Sequence, residues 1–467
     1  MTDAFPGKKT RAMLERGIPL FRNGLKFEAE LEKAGRRGFR TARQIVIDKA
    51  AGDFIWDLDG KRYIDFQNGW ATNPVGNAHP EVVEAVHAAH QRYGFHYDHP
   101  LRYELAEQLI AIMPDSSLSR FNYEVSGTEA AEASVHLALT HTKRRYIITF
   151  SSCFHGEGLA TKLISGYNGD KNRYLEAWTG GVVRAPYPYS DNIPAGMSED
   201  QYVEYCLWYL DNHIPNSVVP RDNVAAILVE PGLAEGGNWI PPSNFLRGIR
   251  DVCDKNDWLM IADEVLTGLG RTGKMWAVEH YDVVPDILVV GKNLSGGIEP
   301  CAGIAARDDI LGDNDAFSSG STFAGTPGGC AAGIKTLELY RRYNLVENAA
   351  HLGRVAAEIM SGWEKYEIVR QVRGNGLLMG VSFCAPEPDS DDENWWFARA
   401  VRNQMLANGV WAISDRQDTI RMYPALNMEE SVLREGLGIM EDAIRHVSEN
   451  GHKVGDSPAW PTGVAGF

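Results

Sequence analysis

Cysteine is scarce in this chain of 467 residues, and none of it falls in a Cys-x-x-Cys pair, so neither the spacing of a zinc site nor a disulfide framework is present. The six (Cys153, Cys206, Cys253, Cys301, Cys330 and Cys384) are scattered, and reduced thiols in a cytoplasmic setting are the expectation. Basic charge is also in short supply. Forty-six Lys and Arg face 62 Asp and Glu, a net charge of −16, which weighs against binding a phosphate backbone or an anionic membrane surface. No apolar run reaches the length of a membrane span, and the segment from Met1 to Lys9 lacks the apolar core of a signal peptide. Nucleic acid, membrane and metal are therefore not expected partners.

What remains is an ordinary globular composition, 44% hydrophobic and 23% charged, long enough for two or three cooperating domains. Two short apolar runs organise it. Leu259-Met260-Ile261-Ala262 stops at Asp263-Glu264, and Ile287-Leu288-Val289-Val290 stops at Gly291-Lys292. Such runs suit strands covered on both faces, as in a parallel or mixed α/β sheet. An acid and a lysine at the carboxyl ends of two such strands stand where open α/β sheets place ligands. The 29 residues separating Asp263 from Lys292 leave room for one crossover. Two ordinary strand-end charges would look the same.

Other stretches carry chemistry in the same manner. Residues 1–44 read as Lys- and Arg-rich helical stretches, an arm suited to packing on a partner subunit. Asp59-Gly60 between two apolar runs predicts a hairpin, and His79-Pro80 opens an amphipathic helix. Arg120 to Val125 reads as a strand that switches abruptly to helix at Ser126-Gly127-Thr128-Glu129. Free helix N–H groups and two hydroxyls suit an anion there, although a plain capped helix start fits as well. After the strand Tyr146–Phe150, Phe154 and His155 offer a flat stacking surface or simple packing. Residues 165–222, with Trp178, read as a long excursion with one helix near 199–211. A strand resumes at Ala225 and ends in Glu230-Pro231, followed by a Gly-rich loop, and a helix from Ser243 to Lys255 leads back to the opening strand.

In chain order, Glu230-Pro231, Asp263-Glu264-Val265, Thr267-Gly268-Leu269-Gly270-Arg271-Thr272-Gly273, Gly291-Lys292 and Ser321-Thr322-Phe323-Ala324-Gly325-Thr326-Pro327 resemble the class-III family of pyridoxal-phosphate-dependent aminotransferases. The resemblance runs from about residue 45 to about residue 445. It implies fold type I, an α/β large domain with a mostly parallel seven-stranded sheet (residues 76–334). A small α+β domain would be built from both chain ends (1–75, including the arm, and 335–467). Lys292 would hold the cofactor as a Schiff base and shuttle protons, and Asp263 would sit against the pyridine nitrogen. Val265 and Phe154 would cover the ring faces, with His155 and Glu230 also in the cofactor site. Ser126, Gly127 and Thr128 would cradle the phosphate, reached by Thr322 of a neighbouring subunit in a homodimer or tetramer.

For the substrates, the resemblance implies an amine and a 2-oxo acid. Glu235 and Arg421 match a pair in which the arginine binds a carboxylate or folds back onto the glutamate. Trp70 aligns with a pocket aromatic, and core packing would equally explain it. Leu266 and Leu233 stand where relatives often carry glutamine, and Thr326 replaces the asparagine common before Pro327. Glu157 occupies a place where relatives handling a second carboxylate can carry arginine, which favours pyruvate over 2-oxoglutarate. Racemases, aminomutases and lyases share every cofactor residue, so these stay open, as does a non-catalytic binding protein. From about residue 335 the pattern turns helical. Ala385 to Asn394 reads as a solvated loop, and the tail after His452 as irregular.

Overall fold

The computed structural model describes residues 7–17, 45–94, 98–167, 175, 180–312, 314–384, 397–414 and 418–450. Most of the N-terminal arm, Trp178, the loop Ala385 to Asn394 and the tail after His452 lie outside the described residues. The chain divides into two units. One comprises residues 1–69, 76–78 and 352–467, and the other 70–75 and 79–351.

The first unit begins with an antiparallel meander, β1 (Ile47–Ala51), β2 (Phe54–Asp57) and β3 (Arg62–Asp65). Its turn is organised by one buried acid. Asp57 Oδ1 accepts the backbone N–H groups of Asp59 and Lys61 at 3.0 and 2.9 Å, and Oδ2 accepts the Tyr63 hydroxyl at 2.7 Å. Gly60 supplies the positive φ, +87°, that the turn requires. Asp59 then accepts the N–H groups of Lys9 and Thr10 at 2.8 and 2.9 Å. The helix Lys8–Gly17 has no acid in its own first turn, so the hairpin supplies the carboxylate that its open N–H groups need.

The second unit holds a seven-stranded sheet: β4 (Arg120–Glu124), β5 (Tyr146–Phe150), β6 (Val182–Ala185), β7 (Val224–Val229), β8 (Leu259–Asp263), β9 (Ile287–Val290) and β10 (Ala302–Ala306). The order is β4-β10-β9-β8-β7-β5-β6, and only β10 runs against its neighbours. This is the mostly parallel sheet that the resemblance implied. Every residue of β7, β8 and β9 is buried, which is why their sequences read as continuous apolar runs instead of alternating. The helix Gly127–Thr142 lays Ala130, Ala133 and Leu137 into the same core.

Three elements differ from the sequence reading. β6, within the stretch read as a helix-bearing excursion, is a four-residue edge strand too short to show a period. β10 is alanine-rich and its strand form comes from pairing on both sides, not from side-chain preference. The helix expected from about residue 335 starts at Pro327, with Thr326 Oγ1 accepting Gly329 N–H at 3.1 Å. Its Gly-rich first turns look like a loop in the sequence. A Cβ at Gly329 would stand 2.8 Å from the Pro300 carbonyl, and one at Gly333 2.9 Å from Leu105, so the glycines serve close packing.

The chain returns to the first unit through β11 (Val369–Asn375), β12 (Leu378–Phe383), β13 (Val410–Trp411) and β14 (Thr419–Met422). β13 pairs in parallel with β3, so a C-terminal strand completes the N-terminal meander. Tyr423 N–H also donates to the Phe66 carbonyl at 2.7 Å.

Asp286 closes the amino end of the large sheet. It accepts Met260 N–H at 2.7 Å and Arg250 Nη1 at 2.9 Å, and pairs with Arg307 as well. Removing one partner of a buried pair strands the others, so Asp286→Ala should lower unfolding free energy by about 3 kcal/mol in urea, with an unchanged m-value. A cost within experimental error would show the pairs to be solvated. In the first unit, burial pushes the Asp53 carboxyl up to about 6, opposed by the Glu429 N–H and reinforced by the charges of Glu429 and Asp65. A carboxyl raised on folding binds more protons folded than unfolded, so stability falls as pH rises from 3.8 through about 6. Asp53→Asn should therefore be more stable than the parent by about 1–2 kcal/mol at about pH 7.5 and match it at about pH 4. A difference independent of pH would contradict this.

Candidate active site

Five parallel strands of the large sheet end along one edge, and each delivers part of the motif set. Ser126 follows β4, Phe154 and His155 follow β5, Glu230 follows β7, Asp263 ends β8, and Lys292 follows β9. Asp263 lies opposite Val289 in the β8/β9 register, and Glu264 N–H donates to the Val289 carbonyl at 3.0 Å. The acid and the lysine, 29 residues apart in sequence, thus leave adjacent strand ends.

At the helix start, Ser126 is the cap: its Oγ accepts Glu129 N–H at 3.3 Å, and Glu129 Oε2 accepts Val125 N–H at 3.0 Å. The capping reading holds locally, and it leaves the first-turn amides of Gly127 and Thr128 for a ligand. Space around them is limited by close approach. A Cβ at Gly127 would lie 2.7 Å from Val265 Cγ1, and one at Gly156, where φ is +140°, 2.5 Å from Thr128 Oγ1. Thr128 Oγ1 also accepts Glu157 N–H at 3.3 Å, which joins the cradle to the Phe154 loop. Gly291, next to Lys292, packs on Val265 and Gly127.

Behind the cradle lies a buried charge cluster. His155 Nδ1 donates to Asp263 Oδ2 at 2.7 Å, with the two side chains 0% and 5% exposed. Burial opposes a charge on His155, yet Cys153 and the Asp263 carboxylate outweigh it and hold its pKa well above the ordinary value. His155 Nε2 is buried without a hydrogen-bond partner among the described residues. Asp263 Oδ1 accepts Val265 N–H at 3.1 Å, which sets where Val265 projects. Glu230, placed by the resemblance among the cofactor-binding residues, has both oxygens engaged by backbone: Phe154 N–H at 2.7 Å and Ala234 N–H at 3.0 Å. Burial pushes its carboxyl up to about 7, with His155 opposing and Asp263 adding. Its place in the structure is to fix the loops that carry Phe154 and Glu235.

Lys292 adopts φ +42°, a left-handed conformation that a non-glycine residue holds only when its surroundings impose it. Two residues unremarked in the sequence anchor the segment after it to the Leu269 loop. Asn293 is buried, and its Nδ2 donates to the Leu269 carbonyl at 3.3 Å. Tyr340 donates to the same carbonyl at 2.6 Å. Glu264 holds the intervening segment, accepting Val278 N–H at 2.9 Å and the Thr267 hydroxyl.

Four expected residues remain, Glu235, Trp70, Thr322 and Arg421. Glu235 is buried within a tight bridge in which Leu233 and Trp239 exchange backbone hydrogen bonds at 2.9 and 3.0 Å. Trp70 is half-buried at φ +62°. Thr322 is exposed on the segment Ser319–Thr326. Arg421 belongs to the smaller unit, fully buried on β14, where Nη1 donates to the Tyr423 hydroxyl at 3.0 Å. Leu266 and Leu233 are buried apolar residues, and Thr326 serves as the helix cap already described.

The donor set in the large unit suits a phosphorylated, planar, nitrogen-bearing carbonyl compound. Helix amides and hydroxyls would suit a dianion, an acid paired with a histidine would suit a ring nitrogen, and a primary amine would suit a carbonyl. Residues 38–444 match the family model for class-III aminotransferases. A probable 4-aminobutyrate aminotransferase of Bacillus subtilis is 31% identical over 88% of this chain and 95% of its own length. An alanine/serine racemase of Pyrococcus horikoshii is 29% identical over 94% and 91%. The crystal structure of a transaminase from the marine bacterium Virgibacillus superposes with a TM-score of 0.80 at 25% identity, covering 94% of this chain and 99% of that one.

The contact between Gly127 and Val265 gives a direct test of the cradle. Gly127→Ala should cost about 1–3 kcal/mol in thermal unfolding, and Val265→Ala in the same chain should recover much of it. Strict additivity of the two substitutions would rule out the contact as the cause.

Proposed function

Because this chain belongs to the class-III aminotransferases, enzymes that depend on pyridoxal phosphate, we propose that it moves an amino group from a primary amine or ω-amino acid to a 2-oxo acid, pyruvate being preferred to 2-oxoglutarate. The observation that carries this reading is the buried His155–Asp263 pair, with Asp263 at the end of the strand beside the one that leads to Lys292. The cofactor, when bound, supplies an electron sink for a carbanion at the substrate carbon. Lys292 would hold the cofactor through its Nζ, and the amine, once freed, would be the base that moves the proton of the substrate carbon. Asp263 would sit against the ring nitrogen and keep it protonated, and His155 Nδ1 holds the Asp263 carboxylate in place by its 2.7 Å hydrogen bond. Val265 and Phe154 would cover the ring, and Ser126, Gly127 and Thr128 would take the phosphate.

Thr322, exposed in the single chain, completes that phosphate site in a second copy, which makes the active unit a homodimer. By the resemblance, Arg421 is assigned to the substrate carboxylate, and Glu235 and Trp70 are assigned to substrate binding. The preference for pyruvate rests on Glu157. Its carboxylate pairs with Lys162 at 3.0 Å, so a second substrate carboxylate there would have to open that pair as well as meet an acid.

A second reading has support from the relatives, which include the alanine/serine racemase. Amino donor added alone separates the two. A transaminase should lose the visible absorbance of its bound cofactor until a 2-oxo acid is supplied, whereas a racemase should recover it unaided. Lys292→Ala should abolish that absorbance band, and its persistence would defeat the assignment of Lys292. Turnover that is faster with 2-oxoglutarate than with pyruvate would reverse the reading of Glu157.

A further inference from the structure

The segment Ser319–Thr326 leaves Thr322 and Phe323 exposed, Phe323 by 55%, and both of its ends are tied down. At the far end, Arg102 Nη1 donates to the Ala324 carbonyl at 3.3 Å, His99 Nε2 lies 3.1 Å from the Gly325 carbonyl, and Thr326 caps the next helix. At the near end, Ser319 Oγ donates to Glu124 Oε1 at 2.6 Å. That acceptor is an unexpected residue. Glu124 is an acid only 2% exposed, at the end of β4 and two residues before the Ser126 cap. Asn122 Nδ2 donates to the same oxygen at 3.0 Å.

A buried acid is costly where an apolar residue would continue the strand. Burial pushes the Glu124 carboxyl up, Ser319 and Asn122 counter this by hydrogen bonding, and the charge of Glu129 adds to it. Glu129 is itself engaged with Val125 N–H, so it offers no relief. The hydrogen-bond partners of Glu124 are Asn122 on its own strand and Ser319 at the foot of the Thr322 segment. An exposed tip has little packing to order it, and tying its feet reduces the entropy lost when the tip engages a partner.

We propose that Glu124 is a positioning residue that ties the Thr322 segment to the strand carrying the phosphate cradle, and so sets where Thr322 is presented to a second copy of this chain. This rests on the reading above, in which Thr322 closes the phosphate site of a partner. Glu124 touches neither cofactor nor substrate; it acts through Ser319.

Cofactor release from diluted holoenzyme, followed by its visible absorbance, tests the assignment. Ser319→Ala and Glu124→Ala should each release pyridoxal phosphate about tenfold faster than the parent, as should Thr322→Ala, a loss typical of one hydrogen bond to a charged group. Glu124→Gln, whose side-chain carbonyl still accepts from Ser319, should stay within about twofold. Ser319→Ala removes one exposed-segment hydroxyl and should leave the melting temperature unchanged, which separates positioning from folding. Parent-like release from Ser319→Ala and Glu124→Ala beside fast release from Thr322→Ala would overturn the role of Glu124 alone. Parent-like release from Thr322→Ala would overturn the partner reading of Thr322 and this proposal with it. Glu124→Gln as leaky as Glu124→Ala would overturn the Ser319 route by making charge the cause.

Discussion

A carboxylate and an imidazolium share a nearly water-free space at the edge of the large sheet, and most of the surrounding structure answers to that pair. Asp263 ends one strand and His155 follows another, and the 2.7 Å hydrogen bond between them joins the two. Keeping them paired requires the loop after β5 to be held in place. Its backbone is gripped by side chains from elsewhere: Glu230 on Phe154 N–H, Ser165 on His155 N–H at 2.9 Å, and Thr128 on Glu157 N–H. A buried acid such as Glu230 thus earns its desolvation cost by fixing backbone, and its neighbours inherit the position.

Close backbone approach is the second constraint. Gly127 and Gly156 sit where a Cβ would meet Val265 and Thr128, so the helix start, the Val265 side chain and the Phe154 loop converge within van der Waals distance. On the other side, Asn293 and Tyr340 converge on one carbonyl, that of Leu269, and hold the turn in which Lys292 takes its left-handed conformation. Strain of roughly 1–3 kcal/mol at such a residue is sustained only by surroundings of this kind. The helix Pro327–Tyr343 that supplies Tyr340 reaches the same region because its own glycines let it pack tightly.

The smaller unit shows the same economy with acids. Asp57 satisfies a turn, Asp59 in that turn satisfies a helix start, and Asp53 remains as a half-buried acid whose carboxyl is pushed up by burial. One carboxylate, Asp59, replaces the acidic residue that the helix Lys8–Gly17 lacks in its own first turn.

The sequence by itself determined the strand ends and the order of the motifs. Fully buried strands must read as apolar runs, and the residue that terminates each run stands out as Asp263 or Lys292 does. The Asp59-Gly60 hairpin was legible for a similar local reason, since its geometry is set within a few residues. What the sequence could not show is contact at a distance. The edge strand β6 and the alanine-rich β10 take their form from neighbours far along the chain. Glu230, Asn293 and Tyr340 owe their places to hydrogen bonds across 76, 24 and 71 positions. Only the tertiary structure decided which buried polar groups meet. A side chain's partner across space depends on how separate elements pack, and local pattern carries no record of that.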